Sequence, residues 1–261
     1  MRGGWVASPW YFLSLGFLAG VVGFRMGFRT GNRVALPVLQ GVLGWGVFVM
    51  AWSFLSPGWA AATVGAWAFG TMLISVYVFH GRPEETDARV VRAREYRASM
   101  LAWLSSGRGR ETTPIATARA HLRELALYLL AAAATANLAS IVLGALLLNY
   151  MNAYVATLLR AARRPGTVLL LGWNLWSVVR VAAYVVLGAA AASPLLVWMG
   201  WARDADAVKR LAIAGVAGVV LDLALKLALS RPAGRALAAA VDLDAARDNR
   251  AVRAELTLDL S

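Results

Sequence analysis

Cysteine is absent from all 261 residues, histidine occurs twice, and 14 acidic side chains face 26 lysines and arginines. Each scarcity removes a class of chemistry. Without cysteine there is no disulfide framework, no thiolate nucleophile and no cysteine metal ligand. His80 and His121 stand at the ends of the third and fourth apolar segments with no clustered Asp or Glu. Two such ligands make a poor metal or haem site, so neither a metal nor a cofactor is expected. The chain carries no Ser/His/Asp set, no phosphate-cradling glycine loop and no carboxylate pair, so no enzymatic activity is expected either.

Charge of any sign is also scarce, at 15% of residues against 60% hydrophobic, and it is confined to a few blocks. Uncharged runs lie between the blocks at Gly3–Phe24, Val34–His80, Leu125–Leu159, Pro165–Val179 and Val181–Ala202. A hydrocarbon core about 30 Å thick needs roughly 20 apolar residues as a helix. A helix of a soluble core would also carry a polar stripe, and Val34–His80 has none. The expected fold is therefore an all-α polytopic transmembrane bundle with no separate soluble domain. Gly3–Phe24 has no A-x-A-like site and is followed by Arg25, Arg29 and Arg33, so it reads as an uncleaved first span. The segments divide as a three-span unit at 1–80, a basic connector at 81–121, a second membrane unit at 122–230 and a tail at 231–261.

The formal charge of +12 invites a nucleic-acid reading. Cytoplasmic loops of membrane proteins are Arg-rich for another reason, the positive-inside rule. Neither basic segment interleaves aromatics with its arginines, so no nucleic-acid partner is expected.

Three spans are easily placed: the first ending at Arg25, the second at Val34–Phe54 and the third at Trp59–Phe79, with a tight turn at Leu55-Ser-Pro-Gly58. Leu125–Leu159 is harder. Its 35 uncharged residues would make a helix of about 52 Å, too long for one perpendicular crossing. If it crosses once there are six spans, and Lys plus Arg divide 15 to 9 between the two sides. If it turns back near Asn137–Ser140, as a hairpin or a re-entrant loop, there are seven passages. The division is then 20 to 4, with only Arg2, Arg203, Lys209 and Arg210 outside. The bias favours seven. It places the protein in a cell inner membrane with its N-terminus outside and its C-terminus in the cytoplasm. Further spans are expected at Gly166–Gly188 and Leu211–Ser230, and Trp5, Trp10, Trp52, Trp59, Trp198 and Trp201 then fall at the outer interface, where indole rings are favoured.

In the connector, Pro83-Glu-Glu85 opens a helix whose acidic first turn suits the macrodipole. Arg89, Arg92, Arg94 and Arg97 follow, then Met100, Leu101, Trp103 and Leu104. An acidic start, a basic middle and an apolar end suggest a helix on the inner leaflet, with Arg89, Arg92, Arg94, Arg97 and Trp103 binding membrane lipid or a partner. The alternative is a connector packed on its own protein. Ser105–Thr113 reads as a flexible break, and the tail Ala236–Ser261 as a helix with a frayed end.

Gly16 and Gly20, then Gly23 and Gly27, repeat the small-xxx-small spacing that lets helix backbones approach closely. The spacing serves either self-association or packing within one bundle. The remaining feature is ionisable. Arg180 interrupts the 37-residue apolar stretch Pro165–Trp201, Asn174 precedes it by six residues, and Asp222 with Lys226 at i+4 lies within the last span. A charge at the bilayer centre costs about 2.5–3.5 kcal/mol on insertion scales, so these groups are expected to face inward as one polar cluster. Two functions remain open: a small transport protein or permease-type subunit with Asn174, Arg180, Asp222 and Lys226 along its path, or a non-catalytic anchor or assembly subunit of a larger membrane complex. The first requires a polar cavity reaching one face. The second requires a dry bundle.

Overall fold

The structure is a computed structural model that describes residues 8–107, 114–201 and 203–247. Trp5, most of the break before Thr113 and the end of the tail lie outside the described residues. The described chain is helical throughout, apart from one isolated antiparallel bridge between Ala162 and Val241. In order the helices are α1 (Pro9–Arg29), α2 (Ala35–Phe54), α3 (Pro57–Gly81), α4 (Pro83–Arg89), α5 (Ala93–Ser106), α6 (Pro114–Ala134), α7 (Leu138–Arg160), α8 (Pro165–Leu171), α9 (Leu175–Trp198), α10 (Ala205–Ala240) and α11 (Leu243–Arg247). Proline opens five of them, since its fixed φ and missing N–H cost nothing in a first turn. Six elements are long and apolar enough to cross a membrane: α1, α2, α3, α7, the α8–α9 pair and α10. This is a multi-pass membrane protein.

The three-span unit is held by backbone contact. Gly16 and Gly20 rest on the α3 backbone at Thr63 and Trp67, while Gly23 and Gly27 rest on α2 at Gln40 and Leu36. A Cβ at Gly20 would overlap the Trp67 carbonyl, so even alanine needs the helices to separate. All four glycines are buried inside the chain's own bundle, which removes them as a face for self-association.

The two ends of the bundle differ chemically. At one end the Trp10 and Trp59 rings lie 6.4 Å apart, the Trp52 indole donates to the Trp201 carbonyl at 3.1 Å, and Arg203 donates to the Trp52 carbonyl. At the other, arginines donate to carbonyls in the last turns of helices, where acceptors outnumber backbone donors. Arg89 donates to Phe28 O at 2.8 Å, Arg160 to Phe79 O at 2.7 Å and Arg33 to Ala88 O at 2.5 Å. The start of α1 lies at the tryptophan end. The end of α10 lies at the arginine end, where Arg163 and Arg164 donate backbone N–H groups to Ala240 O. Beside that joint the Arg163 guanidinium and the Ala245 N–H hold the Asp242 carboxyl below the usual carboxylate range.

Leu125–Leu159 turns back, as the charge count favours. The turn is Thr135-Ala136-Asn137, with positive φ at Ala136 and Asn137. Its tip stops inside the bundle: the Trp45 indole donates to Ala136 O at 2.9 Å, and Trp45 lies nine residues before the end of α2. At 1.5 Å per residue the tip is on the order of 10 Å short of the tryptophan end. The seven-passage expectation is corrected to this extent. Helices α6 and α7 form a re-entrant hairpin, and Ala136 at its tip shares one apolar cluster with Phe12, Phe48, Trp52 and Leu196 of the Trp end.

The connector is also corrected. Met100, Leu101, Trp103 and Leu104 do not meet lipid. All four are buried against Tyr154, Leu158, Trp176 and Leu237, so α5 is a platform bolted beneath the membrane helices.

Candidate functional site

The apolar stretch after Pro165 is not one helix. Helix α8 stops at Leu171, and the chain crosses Gly172-Trp173-Asn174 before α9 starts. Asn174 carries φ +55, which asparagine tolerates better than a branched residue, and the Trp173 indole donates to Asn152 Oδ1 at 2.8 Å. Asn152 in turn donates to Ser75 at 2.8 Å, while Gln40 and Asn149 exchange two hydrogen bonds across α2 and α7. These buried amides fix where α9 begins, and so where Arg180 points.

Arg180 faces α10. Its Nε and one terminal nitrogen donate to the two Asp222 oxygens at 2.9 and 3.0 Å, a bidentate geometry. The Asp222 side chain is only 2% exposed, whereas that of Arg180 is 18% exposed. The carboxylate is thus the anchor, and the guanidinium extends from it towards open space.

That space is a cavity of about 350 Å³ among α3, α5, α6, α7, α9 and α10. Arg180 and Ser177 line it from α9, and Lys226 from α10, one turn beyond Asp222. Glu124, His121 and Tyr128 enter from α6, and Arg92, Glu95 and Ser99 from the platform. Its deep wall is apolar, made by Val64, Trp67, Ile141 and Leu148, the first layer of the dry core above. The hydroxyl of Tyr184 donates to His121 O at 3.3 Å and its ring lies 5.2 Å from Tyr128, which fastens α6 to α9 as a side wall. The result is a chamber with mixed charge at its mouth, two cations deeper in, and an apolar stop at mid-bundle.

The structure therefore brings together Arg180 and Asp222 directly, with Lys226 on the same chamber. Asn174 is buried at the α8–α9 break and does not line the chamber. The residues expected to bind lipid or a partner are placed differently. Arg97 is buried in a bidentate pair with Asp87, both contacts 2.7 Å, and Arg94 approaches the same carboxylate at 3.7 Å. Arg89 pairs with Glu85 at 3.0 Å and lies over the Phe28 ring. Trp103 packs on Gly234 of α10, and Arg92, at φ +61, turns into the chamber mouth. As a lipid-facing row this set is overturned: the positive charges of Arg89, Arg94 and Arg97 hold the platform together, and Trp103 is its apolar anchor.

Several site residues escape a reading by charge alone. Glu95 and Ser99 lie at i and i+4 on α5, directly after Arg92 at its N-cap, and His121, Glu124 and Tyr128 at i, i+3 and i+7 on α6. That helical period is the signal that could have placed them on one face each. Asp87 carried no comparable signal, since every arginine nearby has several acidic neighbours. Among the described residues no group of three His, Asp or Glu side chains is placed to hold a metal ion. Comparison with protein-family models, with curated proteins and with solved structures finds no match to this chain.

Proposed function

We propose that this is a small transport-type protein of a cell inner membrane, and that the chamber between the platform and the re-entrant hairpin holds its solute. The observation that carries the reading is the chamber: ionisable side chains from α5, α6, α9 and α10 converge on an internal space that ends blindly at an apolar core. Intramembrane charge is costly, and a buried set that lines a cavity is the usual mark of a solute or ion path. The broken α8–α9 element supports it, because irregular backbone at membrane depth is tolerated where it is buried in protein or lines a cavity. The positive-inside rule puts the arginine end, and so the chamber mouth, in the cytoplasm, with the N-terminus outside and the C-terminus inside.

The anchoring or assembly reading draws on a different observation, the rigid platform of α4 and α5, which presents a fixed shape at the arginine end. It needs no water in the bundle, and that is where the two part. The chain has no cysteine, so single cysteines report without background. Cysteine in place of Ser177, in the chamber, should react with a water-soluble, membrane-impermeant maleimide on inverted vesicles. On right-side-out vesicles it should not. Absence of labelling from both sides would mean a dry bundle and would transfer the argument to the anchor.

A further inference from the structure

We infer that a second cavity, separate from the chamber, is a binding groove for an anionic phospholipid. It has a volume of about 710 Å³ and opens at the arginine end between α3 and α8, beside the last turns of α1. Its basic lining is Arg25, Arg29, His80 and Arg82, Tyr77 adds a hydroxyl, and no Asp or Glu lines it. Its walls are Leu73, Leu169 and Trp173, with Leu73 and Leu169 exposed. Acyl chain and phosphate need these two surfaces in this order, apolar towards the membrane and basic at its edge.

The arginines at this end fall into two groups. Arg89 and Arg160 are engaged with the terminal carbonyls of α1 and α3. That leaves Arg25 and Arg29 uncommitted: among the described residues neither makes a hydrogen bond or an ion pair. They stand at i and i+4 on one face of α1, so both guanidinium groups serve the same mouth. Arg82 contributes less, because Glu85 lies 3.5 Å from it. Guanidinium groups with unused donors bind phosphate oxygens in bidentate fashion, and basic pockets between membrane helices on the cytoplasmic side select anionic headgroups. The groove is open to the bilayer, so a phospholipid rather than a soluble phosphate meets both halves of it.

Native mass spectrometry of the full chain, delipidated and then offered phosphatidylglycerol or phosphatidylcholine, tests the site. The wild type is expected to bind phosphatidylglycerol in preference, unaffected by millimolar inorganic phosphate. Each basic residue near the surface contributes about fivefold to anionic-lipid affinity, so Arg25→Gln with Arg29→Gln should lower phosphatidylglycerol binding by about 25-fold and leave phosphatidylcholine unchanged. Leu169→Trp, which fills the groove without removing charge, should weaken the same binding and decides the question if the double variant fails to fold. Equal binding of both lipids by the wild type, or a preference that survives either folded variant, would overturn the site. Competition by inorganic phosphate at equal affinity would also overturn it, in favour of a soluble anion.

Discussion

Asp222 keeps a carboxylate inside an apolar helix because Arg180 meets both its oxygens, and each charge makes the other tolerable. Removal of one partner is therefore far worse than removal of both. Asp222→Ala should destabilise the folded protein by about 3–5 kcal/mol, since it leaves the Arg180 guanidinium largely desolvated. Arg180→Leu combined with Asp222→Ala should recover most of that loss, as read by thermal unfolding in detergent. A single variant as stable as the wild type would show that the pair carries no structural weight. If the double variant folds but no longer supports the cellular function, the guanidinium acts on the solute as well as on α10. Arg180 and Asp222 were legible in the sequence because a charge in an apolar run must find a partner. The Arg97–Asp87 pair has similar geometry and deeper burial of its cation, yet it was not legible. In a segment crowded with both signs, only the packing of α5 onto α7 and α10 decides which arginine is enclosed.

The re-entrant hairpin shows the same limit among the elements. The length of Leu125–Leu159 left a single crossing or a turn open and the charge count favoured the turn, but no glycine or proline marks one near Asn137–Ser140. The turn exists because Thr135 accepts the Ala139 N–H, Asn137 adopts a left-handed conformation, and Trp45 of α2 donates to Ala136 O. The last of these comes from 91 residues away, and no local pattern contains it. An enclosed tip makes a clear prediction. A cysteine at Ala136, which is 3% exposed, should resist an impermeant maleimide applied from the tryptophan end. One at Met199, exposed at the end of α9, should react. Equal labelling would mean that α6 and α7 cross completely and that the tip stands in water. The α8–α9 break was hidden for a related reason. Gly172-Trp173-Asn174 looks like part of an apolar span until Asn152 is in place to accept the Trp173 indole proton.

Across the whole molecule, charge is sorted by end. The arginine end carries the caps, the platform, the chamber mouth and the groove of Arg25 and Arg29, while tryptophans mark the other end. The same sorting that orients the chain during insertion thus supplies its cationic surfaces afterwards. With α1 starting at the tryptophan end and α10 finishing at the arginine end, the two termini should differ in accessibility. A single cysteine at Ser8 should be labelled by an impermeant reagent on intact cells, and one at Ser261 only after permeabilisation. Labelling of Ser261 alone on intact cells would reverse the side assigned to the chamber mouth, and labelling of both would overturn the placement of the termini on opposite sides.

The sequence by itself determined the membrane class, the first three spans, the small-residue stripe on α1, the inward-facing charges Arg180 and Asp222, and the gathering of Trp10, Trp52, Trp59 and Trp201 at the end opposite most of the arginines. Each of these follows from a local rule: the length of an apolar run, a helical spacing, or the cost of an isolated charge in hydrocarbon. Only the tertiary structure decided that the glycines serve packing within the chain, that the hairpin stops at mid-bundle, that α5 is enclosed, and that polar side chains from four helices share one chamber. Those outcomes depend on which faces meet across separations of tens of residues. Burial turns a local preference into a fixed position only after the partner helix has arrived.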